Sequence, residues 1–465
     1  MADQISVPVP TSAPGAATRV SAGATLIITA AVAALGGLLF GYDTSVISGA
    51  MLFLRTDFHL SDVQLEFAVG IALAGALAGS AVAGYSADRW GRRRVLLATG
   101  LGFGVFSLLS GMALGLLSFS AARFCVGACI GVASLVTPLY LAEMSPARIR
   151  GALVSLNQLA ITVGIVAAYF VDFALAGGRD WRWMFITAVF PAAILVTGML
   201  FLPETPRWLA RQGLREQALE GFHRVGRGHE AEAELLEVEQ ALREEREGLG
   251  VLFQPGFRLA VLVGVGLAIF QQITGINTII YYSPEILRLS GYPSAKAAIL
   301  AAAVIGIANV LVTVVSMLLV DRLGRRFLLL VGSAGMGAAL ALMGAAFHRQ
   351  AAGAVVFGEM IGYIVCFGIG LGPVVWLLIS EIYPTKIRGQ AMSLATLSLW
   401  GANSVVAGTF LSLIRAAGPA GTFWIYSFIC VLCFVFCLTM VPETKGKSLE
   451  AIERHWRRLG ERTDP

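Results

Sequence analysis

Apolar runs long enough to cross a bilayer recur from about residue 24 to residue 441, separated by short polar segments. A helix needs about 20 such residues to span the hydrocarbon core. The ten-residue alternation of a membrane β-barrel is absent. The pattern therefore predicts an all-α polytopic membrane protein with twelve spans, over 23–50, 64–87, 95–116, 119–142, 152–175, 183–202, 257–287, 295–320, 327–347, 353–380, 391–415 and 421–441. One long polar segment, 203–256, follows the sixth span. Its stretch 230–247 is dense in Glu, Ala, Leu and Arg without Pro or Gly, which predicts a helix. The expected organisation is a disordered tail (1–22), a six-helix half (23–202), a helical linker (203–256), a second six-helix half (257–441) and a C-terminal tail (442–465).

Composition agrees with the pattern. Of 465 residues, 57% are hydrophobic and 14% charged, which excludes an ordinary soluble domain. The net charge of +5 is small, and the basic residues cluster at the ends of apolar runs, so they read as topology signals and not as a nucleic-acid surface. Eleven follow spans 2, 4, 8 and 10 (Arg89, Arg92, Arg93, Arg94, Arg148, Arg150, Arg322, Arg325, Arg326, Lys386, Arg388). Seven lie in the alternate segments (Arg55, Arg179, Arg182, Arg288, Lys296, Arg349, Arg415). This excess predicts that both termini and the linker are cytoplasmic. The six cysteines all lie inside apolar runs, as packing residues do. No His pair has metal-ligand spacing within a span, and the Gly-rich stretches 100–104 and 368–372 stand in no βαβ unit, so neither metal, cofactor nor nucleotide is expected.

The chain repeats itself. Asp88-Arg89-Trp90-Gly91-Arg92-Arg93 returns as Asp321-Arg322-Leu323-Gly324-Arg325-Arg326. Glu143-Met144-Ser145-Pro146-Ala147-Arg148-Ile149-Arg150-Gly151 returns as Glu381-Ile382-Tyr383-Pro384-Thr385-Lys386-Ile387-Arg388-Gly389, and Pro203-Glu204-Thr205 as Pro442-Glu443-Thr444. The separations are 233, 238 and 239 positions, in one order, which implies two parallel halves of six spans with a site between them near the midplane. Asp88, Arg92, Glu143 and Arg150 should meet where spans 2 to 5 converge, and Asp321, Arg325, Glu381 and Arg388 likewise in the other half. Single exposed ion pairs contribute about 0–1 kcal/mol, but a network can bias a two-state equilibrium by about a few kcal/mol.

Two intramembrane features carry candidate chemistry. Residues 270–282 include Gln271, Gln272, Thr274, Asn277, Thr278, Tyr281 and Tyr282 inside an apolar run. Amides are costly in lipid, so they must face protein or a watery cavity. On a helix Gln272, Asn277 and Tyr281 share a broad face, and Gly275 permits that helix to bend. Such uncharged groups suit a neutral polyhydroxylated ligand or, alternatively, polar bridges between helices. Asp43 in span 1 and Arg123 in span 4 are opposite charges in the membrane and should pair. The pair is a proton switch or a static structural bridge.

These motifs resemble the sugar porter family of the major facilitator superfamily over nearly the whole chain after the tail, in particular its bacterial xylose- and galactose-type proton symporters. The resemblance rests on the doubled D-R-x-G-R-R and E-x-x-P-x-x-x-R-G, on P-E-T-P-R at 203–207, Q-Q-x-x-G-I-N at 271–277 and P-E-T-K-G at 442–446. It implies a secondary transporter, not an enzyme, importing a neutral hexose or pentose with protons, as a monomer in a bacterial inner membrane. Asp43 and Arg123 become the proton-coupling pair. Phe40, Gln158, Gln271, Gln272, Asn277, Tyr281, Asn309 and Trp376 become sugar contacts, with Trp400 a further aromatic candidate. The doubled charged motifs, with Glu204 and Arg207, become cytoplasmic gates that lock the outward-facing state. Leu399 departs from the family, which often has Gln or Asn before this Trp. The alternatives are a passive sugar or polyol facilitator and a non-transporting sugar sensor, the latter disfavoured by the short C-terminal tail.

Overall fold

The computed structural model describes residues 16–145, 150–224, 231–244, 252, 254–383, 387–445, 452 and 456, without the side chains of 16–26, 150–152, 154, 224, 241–244, 255, 256, 321 and 388. The predicted tails thus lie largely outside the described residues, as do the side chains of Arg150, Asp321 and Arg388. The first half comprises α1 (Ala16–Asp57), α2 (Asp62–Trp90), α3 (Arg92–Gly111), α4 (Leu116–Met144), α5 (Arg150–Leu175), α6 (Trp181–Ile186) and α7 (Val189–Phe201). A linker of α8 (Pro206–Arg211), α9 (Arg215–Arg224) and α10 (Ala231–Glu244) follows. The second half holds α11 (Pro255–Ile273), α12 (Ile276–Leu289), α13 (Ala295–Leu323), α14 (Arg325–His348), α15 (Gly353–Ile369), α16 (Leu371–Ile382), α17 (Arg388–Ala407) and α18 (Phe410–Met440).

Twelve spans result, with α6–α7, α11–α12 and α15–α16 each forming one. Eleven are long and apolar enough by composition alone. The remaining one, α17, has 20 residues but carries Thr396, Trp400 and Asn403, which it buries against protein. Its end differs from the expected span 391–415: the helix stops at Ala407, and the stretch from Phe410 runs into α18 through a kink at Gly418 (φ 72°) and Pro419. Proline has no N–H and cannot continue the preceding turn, so it breaks the helix there. The linker also holds more order than its sequence promised. Ala218, Phe222, Ala231 and Leu235 form a small buried cluster joining α9 and α10, with Leu209 of α8 packed on it.

Local chemistry explains the boundaries. Ser61 and Gln64 form a reciprocal capping box at the start of α2, with Gln64 N–H to Ser61 Oγ at 3.3 Å and Ser61 N–H to Gln64 Oε1 at 2.9 Å. Gly91 (φ 92°) and Gly324 (φ 90°) turn the chain between α2 and α3 and between α13 and α14. That backbone region favours glycine, which accounts for the Gly in both copies of the charged motif. Within the first half α2 lies along α4 and α1 along α5. The halves meet where α5 faces α13, α2 faces α17 and α1 faces α12.

Six spans separate the start of α1 from the linker, so both lie on one side, called here the linker side. On the far side several bonds tie the halves together. Glu66 accepts the Ser412 N–H at 2.6 Å and its hydroxyl at 2.5 Å, at the N-terminus of α18. Arg415 pairs with Asp62 at 2.9 Å, and Arg55 with both Asp62 and Glu285. The Tyr169 hydroxyl donates to the Ile280 carbonyl at 2.7 Å. On the far side the two halves are thus bonded to one another.

Candidate transport site and its charged neighbours

The bend that Gly275 permits is realised as a break within the span. α11 ends at Ile273, Gly275 adopts φ 97°, and α12 begins at Ile276. The left-handed conformation that only glycine takes cheaply makes this break possible. The Tyr363 hydroxyl caps the freed Thr274 carbonyl at 3.1 Å. The break, not a helical face, gathers the amides. Asn277 Nδ2 donates to Gln272 Oε1, Gln272 Nε2 to Gln271 Oε1 at 3.2 Å, and Gln271 Nε2 to the Leu371 and Gly372 carbonyls at 2.8 and 3.1 Å. Leu371 and Gly372 open α16 just after a second break at Gly370 (φ −102°, ψ −94°). The two interrupted spans are therefore joined by a ladder of side-chain amides.

Around the ladder, Tyr281 is buried and accepts a 3.2 Å hydrogen bond from Asn403 Nδ2. Asn403 escaped the sequence reading. It lies four residues beyond Leu399, on the same face of α17, and brings an amide near where Leu399 lacks one. Its Oδ1 has no partner. Trp400 bridges the halves at mid-depth: its ring lies 5.3 Å from that of Phe40, and its indole N–H reaches Ser134 Oγ at 3.4 Å. Asn309 is buried on α13, while Gln158 on α5 and Trp376 on α16 are half-buried. Such neutral donors and acceptors can bind hydroxyl groups, and the indole and phenyl faces can cover C–H surfaces.

Asp43 and Arg123 meet. Arg123 Nη1 lies 2.5 Å from Asp43 Oδ1, and each side chain is 1% exposed. The guanidinium stands 5.2 Å from the centroid of the Phe185 ring. Asp43 Oδ2 and Arg123 Nε have no hydrogen-bond partner. One geometry thus satisfies one edge of the pair and leaves the other open. Removing either member of such a pair strands a buried charge, at a cost of about 3–5 kcal/mol.

The linker-side charges form two matching clusters. Arg92 pairs with Glu143 at 2.9 Å and with Asp88 at 3.2 Å, and Arg211 with Asp88 at 2.7 Å. Arg325 pairs with Glu381 at 2.9 Å. The Thr205 hydroxyl donates to Glu143 and the Thr444 hydroxyl to Glu381, both at 2.5 Å. Glu204 accepts the N–H groups of Arg92, Arg93 and Thr205 at 3.0–3.1 Å, and Glu443 those of Arg325, Arg326, Thr444 and Lys445 at 2.9–3.1 Å. Each carboxylate so caps a helix N-terminus, α3 or α14, where negative charge is favoured. Burial pushes the Glu204 carboxyl above its ordinary range despite these donors. In Glu443 the burial effect is outweighed by the four N–H groups, and its carboxyl falls below that range. None of these contacts joins one half to the other. Arg207 lies half-buried on α8, the helix that carries Arg211.

Two parallel six-span halves, broken spans at the centre and a buried ion pair define a membrane carrier of the major facilitator fold. Residues 29–456 match the family model described as "Sugar (and other) transporter", and the chain belongs to that family. It is 37% identical over 441 residues to the arabinose-proton symporter of Bacillus subtilis, covering 93% of this chain and 95% of the relative. The galactose-proton symporter of Escherichia coli is 37% identical over 430 residues, covering 91% of this chain and 93% of the relative. Among solved structures, the inward-open xylose transporter of E. coli superposes with a TM-score of 0.81 at 34% identity, covering 93% of this chain and all of the other. The same proton:xylose symporter bound to 6-bromo-6-deoxy-D-glucose gives 0.80 at 34% identity, over 93% and 99%.

Proposed function

We propose that the protein imports a neutral monosaccharide, a hexose or pentose, together with protons, by alternating access between its two halves. The observation that carries this reading is the Asp43–Arg123 pair, buried at 1% exposure and within electrostatic reach of Tyr281, which accepts the Asn403 amide. Burial favours the neutral form of a carboxyl in general and a guanidinium favours the charged form, so a change in their separation can load or release a proton. Relatives named as proton symporters for arabinose, galactose and xylose support the substrate class.

Sugar is bound by Gln158, Gln271, Gln272, Asn277, Tyr281 and Asn309, with Phe40, Trp376 and Trp400 as apolar faces and Asn403 as an added amide. The linker side is cytoplasmic, as the basic excess suggests, and the membrane is a bacterial inner membrane. The two linker-side clusters act as gates there, with Glu204 and Arg207. Each chain works as a monomer, since its own two halves supply a complete site.

The test is uptake of labelled D-xylose, L-arabinose, D-galactose and D-glucose into sealed vesicles under an imposed pH gradient and membrane potential. One positive charge moving through 100 mV gains about 2.3 kcal/mol, which would accumulate a neutral sugar roughly fifty-fold. Accumulation well above equilibrium supports symport. Rapid equilibration of a sugar without accumulation would replace this reading with passive facilitation.

A further inference from the structure

Asp172, in the last turn of α5 on the far side, is completely buried. Its Oδ2 accepts the Gly49 N–H of α1 at 3.1 Å, and its Oδ1 has no hydrogen-bond partner. A Cβ on Gly49 would fall 2.7 Å from the Asp172 Cβ, so α1 comes this close only because residue 49 is glycine. Among the described residues no cation answers this carboxyl. From α1 and α5 the phenols of Tyr42 and Tyr169 come within electrostatic reach. Asp43 of α1 is taken by Arg123 of α4. Arg182 of α6 donates to the Gly111 and Ala113 carbonyls. Lys296 of α13 sits 5.0 Å from the centroid of the Phe173 ring.

A carboxylate with one donor and no counter-ion is strongly disfavoured in a protein interior, and such a group takes up a proton instead. The seam between the halves is close by. Tyr169, one turn back on α5, bonds to Ile280 of α12, and Phe173, the next residue, lies under Lys296.

We propose that Asp172 is a second proton-binding site, one that gates the far side and does not carry the transported proton. When the halves part on the far side, water reaches the last turn of α5. The O–H bond of the carboxyl then breaks and the proton passes to that water. On closing, the carboxylate takes one proton from the same solution and forms an O–H bond at Oδ1. The closed molecule buries the group completely, so the proton returns to the side it came from. Closure therefore binds one proton, and alkaline solution on the far side favours the open form by at most about tenfold per pH unit.

This inference rests on the two-state movement in the transport reading, but not on Asp43 as the coupling residue. Its test uses the purified full chain with the six native cysteines replaced and spin labels at Val63→Cys and Ala416→Cys, exposed far-side positions on opposite halves. The interlabel distance, read by pulsed electron resonance without sugar, should lengthen as pH rises. Asp172→Asn should remove that dependence. In the chain without Asp172→Asn, an infrared band of a protonated carboxyl should disappear over the same pH range, and Asp172→Asn should lack the band while Asp43→Asn retains its pH response. A distance indifferent to pH, an unchanged response in Asp172→Asn, or a band that titrates independently of the distance would overturn the proposal. Accumulation retained in Asp43→Asn would overturn the coupling assignment instead and leave this measurement standing.

Discussion

Arg123 holds Asp43 by Oδ1 at 2.5 Å, and Asp43 Oδ2 has no hydrogen-bond partner. Asp43→Asn keeps the shape and removes the charge. It should preserve sugar binding and downhill exchange while abolishing accumulation and sugar-induced proton uptake, read with a pH electrode on de-energised vesicles. Active accumulation in this variant would remove Asp43 from the coupling step. Gln272 and Asn277 bond to each other within the amide ladder. Truncating either to Ala should weaken sugar binding by about 1–3 kcal/mol, the cost of leaving buried partners unpaired. Calorimetric titration showing unchanged affinity in both variants would reduce the ladder to a bridge between helices.

At the scale of elements, the two helix-capping carboxylates make opposite pH predictions. Glu443 is held below its ordinary range, so its stabilisation is present above the unfolded carboxyl range and lost as pH falls through its folded value. Glu204 is pushed above that range, so its ionised form is penalised and that contribution is lost as pH rises. Glu443→Gln should therefore lower the melting temperature at neutral pH, with the difference fading on acidification. A solvent-screened carboxylate at a helix N-terminus contributes about 0.3–1 kcal/mol. A loss that stays constant down to acid pH would contradict the assigned direction. The pairs proposed as gates belong to this scale too. Arg92→Ala or Glu143→Ala should slow transport and shift the population toward inward-facing forms while leaving sugar affinity intact. Unchanged labelling of far-side cysteines in both would leave these residues as topology signals.

Across the whole molecule, the far side is held shut by bonds of unequal worth. Arg415 is largely exposed and pairs with Asp62, a contact worth about 0–1 kcal/mol. Glu66 is buried and accepts two hydrogen bonds from Ser412, where charged hydrogen bonds contribute about 1.5–3 kcal/mol each. Glu66→Gln should thus open the far side more than Arg415→Ala, as read from the distance between labels at Val63 and Ala416. Equal effects would mean that the Ser412 bonds contribute no more than the surface pair.

The sequence by itself determined the span count, the two parallel halves and the doubled charged motifs, because hydrophobic length and repetition are local properties of the chain. It also marked Asp43 and Arg123, since two opposite charges cannot stay apart in lipid. Tertiary structure decided the rest. The amides of 271–277 meet through the backbone break at Gly275, which a helical wheel cannot represent. Asn403 and Glu66 became visible only through partners on other helices, Tyr281 and Ser412. Asp172 stands out because packing against Gly49 leaves it with no cation among the described residues, and nothing in the sequence around it announces that. Local pattern fixes which residues must leave water or lipid, but only the packed fold fixes which of them are left to satisfy one another.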